Sequence, residues 1–256
     1  MTRLQALFKN KTRNILNVYC TAGFPEKNST ILVMQALQQS GADIIELGIP
    51  YSDPVADGPV IQQSNMQALQ NGMSVPVLFE QLNGFRNTIH IPVLLMGYLN
   101  PVLQYGFERF CTEAASLGVD GLIIPDLPAN AYTEEYKPAI DRAGLHFIFL
   151  VTPETSAERI GLLDSLSSGF LYAVTASATT GSENDSQQVT GYLQRIKAMN
   201  LKNPVLAGFG IKNNSDFKRV CAYTDGAIVG SAYINHLKTG GDIAPLTESF
   251  IKSIRE

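Results

Sequence analysis

A beat recurs along this chain: an amphipathic helical pattern, often a glycine, then a short segment that is apolar almost throughout. Eight such segments stand out, at 17–21, 43–48, 92–97, 120–125, 146–151, 170–175, 204–208 and 226–229. Strands apolar on both faces belong to parallel sheets that are covered on both sides. Helical patterns separate them, at 28–40, 60–87, 105–117, 131–143, 156–167, 187–199, 214–222 and 242–255. Gly41 reads as the residue just past a helix end, and Gly118, Gly144 and Gly169 repeat that role before the fourth, fifth and sixth strands. Eight βα units in 256 residues predict a closed α/β barrel, a (β/α)8 fold. A doubly wound open sheet is the alternative, and no G-x-G-x-x-G turn supports it. Leu4, Leu7 and Phe8 at helical spacing predict an extra N-terminal helix over the barrel floor, and Gly230-Ser231-Ala232 opens a short helix after strand eight. No linker or low-complexity stretch interrupts the pattern, so residues 1–256 read as one domain.

In such a barrel, chemistry is expected in the loops at the carboxyl ends of the strands. The long irregular one follows strand two, where Glu46 to Pro59 reads E-L-G-I-P-Y-S-D-P-V-A-D-G-P. Alternation along a strand points Ile44, Glu46 and Gly48 the same way. Glu46 then sits among apolar neighbours, a poor place for a carboxylate that is neither paired nor used. A helix-capping or salt-bridged Glu is the competing explanation. For Asp53 and Asp57, on the Pro/Gly-rich loop, it is a solvated turn.

Glycine-rich turns follow the last three strands: Thr179-Thr180-Gly181-Ser182, Gly208-Phe209-Gly210-Ile211 and Gly230-Ser231-Ala232. Backbone N–H groups and a helix start at this end of a barrel are suited to a phosphate. Schiff-base chemistry needs a lysine inside the barrel, and none of the ten lysines falls on a strand. Metal-assisted chemistry needs a ligand cluster, whereas His90, His146 and His236 lie far apart at strand bottoms or on surfaces. What remains is carboxylate acid–base chemistry, with Tyr19, Tyr98 and Tyr172 placed where a hydroxyl could orient a carboxylate.

The net charge of −4 gives no basic footprint for nucleic acid or an anionic membrane, and the cationic runs Lys9–Arg13 and Lys212–Arg219 read as solvated faces. Cys20, Cys111 and Cys221 lack metal spacing and leave an odd thiol, which favours a reducing compartment. The start shows no signal-peptide core, and no apolar run reaches spanning length. A cytoplasmic protein is expected.

The run from Glu46 to Pro59, continued by Ile61-Gln62, resembles the signature of the tryptophan synthase α subunit family. L-L-M-G-Y-L-N-P at 94–101, P-D-L-P at 125–128, G-F-G-I at 208–211 and G-S-A at 230–232 are similar to its later blocks, in the same order. The resemblance spans the whole chain and implies a TIM barrel. It also implies a lyase that splits indole-3-glycerol phosphate into indole and glyceraldehyde 3-phosphate by a retro-aldol step, in tryptophan biosynthesis. By position it implies that Glu46 is the catalytic acid/base and Asp57 the second catalytic carboxylate. Tyr172 would support the aspartate, Thr180 would belong to a loop that closes onto it, and Gly181, Gly210, Gly230 and Ser231 would hold phosphate. Tyr98 and Asn100 would lie near the indole pocket and a partner interface, and Tyr19 would pack on the indole ring.

Two segments depart from the family pattern: A-T-T-G at 178–181 in place of G-V-T-G, and Tyr19 where some members have Phe. The resemblance further implies no cofactor in this chain, and a partner β subunit carrying pyridoxal phosphate in an allosteric α2β2 complex. A chain acting chiefly as a partner subunit and a free-standing lyase that releases indole remain alternatives. A sugar-phosphate isomerase would find no use for Asp57.

Overall fold

The computed structural model describes residues 1–175, 183–208 and 210–256. Its strands are β1 Ile15–Thr21, β2 Ile44–Gly48, β3 Val93–Met96, β4 Gly121–Ile123, β5 in two pieces (His146–Phe147 and Leu150–Val151), β6 Leu171–Val174, β7 Val205–Gly208 and β8 Gly226–Val229. Counted as nine pieces they form one sheet, parallel throughout. The first piece of β5 pairs with β4 and the second with β6. Between them Ile148 N donates to Leu122 O, and Tyr172 N donates to Phe149 O, both at 3.0 Å. One extended segment thus bonds on both sides, β1 pairs with both β2 and β8, and the barrel closes. The strand expected at 146–151 is present but regular only at its ends.

Side chains fill the interior in layers, as eight-stranded barrels require. Ile15, Ile44, Leu94, Ile123, Ile148, Phe170, Leu206 and Ile228 form an inner cluster, distinct from the larger core between sheet and helices. The helix Arg3–Asn10 closes the floor, as its spacing predicts. Thr2 caps it, Leu4 is completely buried in the inner cluster, and the Phe8 ring lies 6.2 Å from that of Phe170. Polar ties hold it there: Thr2 Oγ1 pairs with His146 Nε2 at 2.8 Å, and Arg3 Nη1 donates to Asp120 Oδ1 at 3.2 Å. Asp120 also takes Arg86 and the Val93 N–H. Burial lowers the pKa of the Arg86 guanidinium to about 10, and Asp120 opposes that.

Several helical boundaries differ from the sequence pattern. The stretch 60–87 is three pieces, Pro59–Gln70, Val75–Gln81 and a 3-10 turn Phe85–Asn87. Gly72 and Gly84 turn the chain with φ of +83° and +74°, and the Ser74 side chain caps the middle piece. A helix Leu99–Tyr105, absent from the expectation, precedes Phe107–Leu117, with Gly106 at φ +95° between them. Residues 132–136 form a π turn just ahead of Pro138, which has no N–H for an α-helical bond to Glu134. The helix expected at 187–199 runs Glu183–Ala198.

Gly41, Gly118 and Gly144 are left-handed helix caps, as read. Gly169 is not one, because the preceding helix ends at Leu166 with an extended cap at Ser167. Its φ is +102°, and a Cβ there would lie 2.4 Å from Leu4 Cδ2. The missing side chain makes room for the floor helix.

Candidate active site

At the carboxyl end of the barrel a cavity of about 640 Å³ opens, lined by residues of the strands, of the loops after them and of the helices that follow. The register sets its base. Tyr19 on β1 lies opposite Glu46 on β2, which lies opposite Leu94 on β3. Glu46 is 1% exposed, and its Oε2 accepts from Asn17 Nδ2 at 2.8 Å. Its pKa is raised to about 8, chiefly by loss of water and to a lesser degree by Asp57, with the Asn17 bond opposing the rise.

Asp57 sits in the loop between β2 and the helix Pro59–Gln70, which starts behind the N-cap Gly58 with Pro59 in its first turn. Its backbone is pinned by a bond from its N–H to Pro54 O at 3.0 Å, and its carbonyl accepts from Gln62 Nε2 at 2.9 Å. Burial pushes its carboxyl up to about 6, against a hydrogen bond from Tyr98. That bond, Tyr98 OH to Asp57 Oδ2, measures 3.3 Å. The two carboxylates share one cavity in unlike environments, so at neutral pH Glu46 holds its proton while Asp57 is largely ionised.

Tyr172 was expected to support the aspartate. It lines the cavity floor, but among the described residues the hydroxyl bonded to Asp57 belongs to Tyr98. Tyr172 instead leans over Gly208, where a Cβ would meet its hydroxyl at 2.7 Å. Tyr19 does the same over Gly48, where a Cβ would lie 2.1 Å from its hydroxyl. Burial raises both phenols well above their ordinary range, so they stay neutral. Glycine at 48 and 208 thus leaves each ring the room that a Cβ would take.

Gly210, Gly230 and Ser231 all line the cavity, Ser231 as the first residue of the short helix Ser231–Leu237. Thr180 and Gly181, with Ala178 and Phe209, lie outside the described residues. Asn100 does not line the cavity; its Nδ2 donates to Tyr51 OH at 3.4 Å, and the Tyr51 ring lies 5.3 Å from that of Tyr98. Sequence reasoning missed Lys212 and Asn235, which line the wall next to Gly210 and Ser231. Lys212 was read as part of a solvated face. It is exposed, yet its place two residues after Gly210 carries it to the cavity. Pro125 and Thr152 contribute to the opposite side. No group of three or more His, Cys, Asp or Glu able to hold a metal occurs among the described residues.

Residues 5–251 match the model of a family described as Tryptophan synthase alpha chain. The chain belongs to that family. The tryptophan synthase alpha chain of Parabacteroides distasonis is 48% identical over 257 residues, covering 100% of both chains. That of Flavobacterium psychrophilum is 50% identical, over 90% of this chain and 91% of its own. Among solved structures, tryptophan synthase subunit alpha from Legionella pneumophila matches with a TM-score of 0.90 and 35% identity, covering 100% of this chain and 97% of that one. A chain of tryptophan synthase from M. tuberculosis, in its aminoacrylate-bound form, matches at 0.87 and 32%, covering 100% and 98%. The chain is therefore a (β/α)8 barrel of a lyase family. No described helix is long and apolar enough to cross a membrane.

Proposed function

We propose that this chain cleaves indole-3-glycerol phosphate to indole and glyceraldehyde 3-phosphate, with Glu46 and Asp57 as its catalytic pair. The observation that carries the residue assignment is the split between two carboxyls in one cavity, one pushed up to about 8 and the other to about 6. Glu46, protonated at neutral pH, gives its proton to indole C3. The ring nitrogen becomes cationic as C3 takes the proton, and ionised Asp57 beside its N–H stabilises that charge. Glu46, now a carboxylate, accepts the proton of the glycerol hydroxyl adjoining the bond. The C–C electrons return to the ring as the bond breaks, and the aldehyde forms. Tyr19 and Tyr172 give the ring a neutral wall. Gly210, Gly230 and Ser231 offer backbone N–H groups and a hydroxyl to the phosphate, with Lys212 adding positive charge at the rim. The resemblance adds Thr180 and Gly181, which lie outside the described residues, to this set.

On this reading the chain needs no cofactor of its own. Its partner is a β subunit carrying pyridoxal phosphate, met by the 50–58 loop and the rim around Tyr51, Tyr98 and Asn100. Val55, 84% exposed at the loop tip, supports a contact there. Three free, buried cysteines fit work in the cytoplasm. The test is indole release from indole-3-glycerol phosphate by the purified chain, alone and then mixed with its β subunit. Weak release that rises sharply on mixing is expected. Full release by the chain alone would make it a free-standing lyase. No indole in either case would overturn the reading.

A further inference from the structure

One polar side chain in the barrel interior has no part in the chemistry above. Asn17 on β1 is completely buried, and its Nδ2 donates to Glu46 Oε2 at 2.8 Å. Its Oδ1 is also buried and has no hydrogen-bond partner among the described residues. A buried acceptor left unpaired costs about 1–3 kcal/mol, so packing alone favours an apolar residue here. Opposite it in the register stands Ile44, and Ile15 shares its face one pleat below. Among the described residues the side-chain partner recorded for this amide is Glu46.

An asparagine amide carries donors at one end and lone pairs at the other. With Nδ2 toward Glu46 it stabilises the carboxylate. Turned half a rotation about its last side-chain bond, it presents Oδ1, which accepts the O–H of the protonated acid. We propose that Asn17 is a positioning residue for the acid–base step, holding the Glu46 carboxyl in one orientation in both protonation states. This rests on the role given to Glu46 above. A residue that must act first as acid and then as base needs such a partner. A lysine or arginine would trap the carboxylate, and an apolar wall would trap the acid. The titratable groups around Glu46 are Tyr19 and Cys20 from β1, Tyr172 from β6 and Asp57 from the loop. The two phenols and the thiol are held neutral by burial. Burial raises the Glu46 pKa most, and against it the Asn17 bond lowers the value while Asp57 raises it.

The test compares the parent with Asn17→Leu, which removes both ends of the amide at similar volume. Difference infrared spectroscopy follows the protonated carboxyl band of Glu46 with pH, using Glu46→Gln to identify it, while kcat and KM for indole release are measured in parallel. The bond to the carboxylate is charge-assisted and the stronger of the two, so its loss should move the Glu46 titration upward by about 1 in pH. At pH 7 kcat should fall about tenfold or more, with KM changed less than about threefold. A folded Asn17→Leu with an unmoved titration overturns the proposal, and so does a loss confined to KM or to thermal stability. If Asn17→Leu does not fold, the parent decides. The Asn17 side-chain NH2 resonance should titrate with Glu46, losing its hydrogen-bonded shift as the acid forms. A resonance constant with pH overturns the proposal. A parent that releases no indole, while Asn17→Leu still moves the Glu46 titration, fails the lyase reading and leaves the Asn17–Glu46 coupling standing.

Discussion

The Tyr98 hydroxyl ties Asp57 to the barrel rim: it accepts from the Ala56 N–H at 2.9 Å and reaches Asp57 Oδ2 at 3.3 Å. Tyr98 is the N-cap residue of the helix Leu99–Tyr105, and the Leu99 N–H is held in turn by Asp126 Oδ1 at 2.9 Å. A carboxylate on the loop after β2 is therefore positioned by the loops after β3 and β4. Removing one such hydroxyl should disturb the aspartate and leave the barrel intact.

Tyr98→Phe should raise the Asp57 pKa above its present value of about 6, because the lost bond lowers it. A hydrogen bond of this kind is worth about 1 kcal/mol, or roughly fivefold in rate. The loss in kcat/KM should be larger at pH 6 than at pH 8, as steady-state assays at both values will show. An equal loss at both would place Tyr98 outside the titration of Asp57.

The pH–rate profile should be a bell. With the roles proposed for ionised Asp57 and protonated Glu46, kcat/KM should rise through about pH 6 and fall through about pH 8. These limbs belong to the pair as a whole. In Asp57→Asn the rate should drop by orders of magnitude and the acidic limb should disappear from what remains. A profile flat from pH 5 to 9 would contradict the assignment.

Glu46→Gln should abolish turnover while substrate binding survives, and it should also stabilise the fold. A carboxyl raised from an ordinary value to about 8 keeps its proton in the native state where the unfolded chain loses it. Native Glu46 therefore costs stability progressively from about pH 4.5 to pH 8. The amide removes that cost and can still accept from Asn17. Denaturant titrations should show the gain of Glu46→Gln over the parent growing across that window, to the order of a few kcal/mol at pH 8.

Gly48→Ala tests the open space above the cavity floor. Its Cβ would lie 2.1 Å from the Tyr19 hydroxyl, so the ring must move into the cavity. Overpacking of this kind costs about 1–3 kcal/mol. A lower melting temperature and a kcat/KM reduced by about tenfold or more are expected, whereas Gly58→Ala, where a Cβ meets nothing within 4 Å, should leave the melting temperature nearly unchanged. Unaltered kinetics in Gly48→Ala would show that Tyr19 does not bound the substrate.

Much of the barrel was legible because uninterrupted apolar segments have few alternatives to burial on both faces of a parallel sheet. β2 and β8 appear almost at their read boundaries. The helical layer was less legible. Pro59–Gln70, Val75–Gln81 and Phe85–Asn87 read as one helical stretch, and only Asn71-Gly72, the Ser74 cap and Gly84 mark the breaks. Glu46, Asp57, Gly210, Gly230 and Ser231 were readable from motif and strand end, and the structure brings them to one cavity. The partner of Asp57 was not. Tyr98 and Tyr172 both stand near carboxyl ends of strands, and which one reaches the aspartate depends on the path of a loop from another unit.

The sequence by itself determined the eight-unit beat and the floor helix, because each depends on local alternation, spacing or residue type, and it singled out Glu46 and Asp57 through a motif that resembles a family's. Closure of the barrel was decided in three dimensions, by an interrupted β5 that bonds β4 with one half and β6 with the other. So were the pKa values of Glu46 and Asp57, the pairing of Asn17 with Glu46 and the approach of Lys212 to the cavity. Each depends on how much water a fold removes and on which distant side chains it brings within hydrogen-bond reach. Those quantities arise only when residues remote in the chain are packed together.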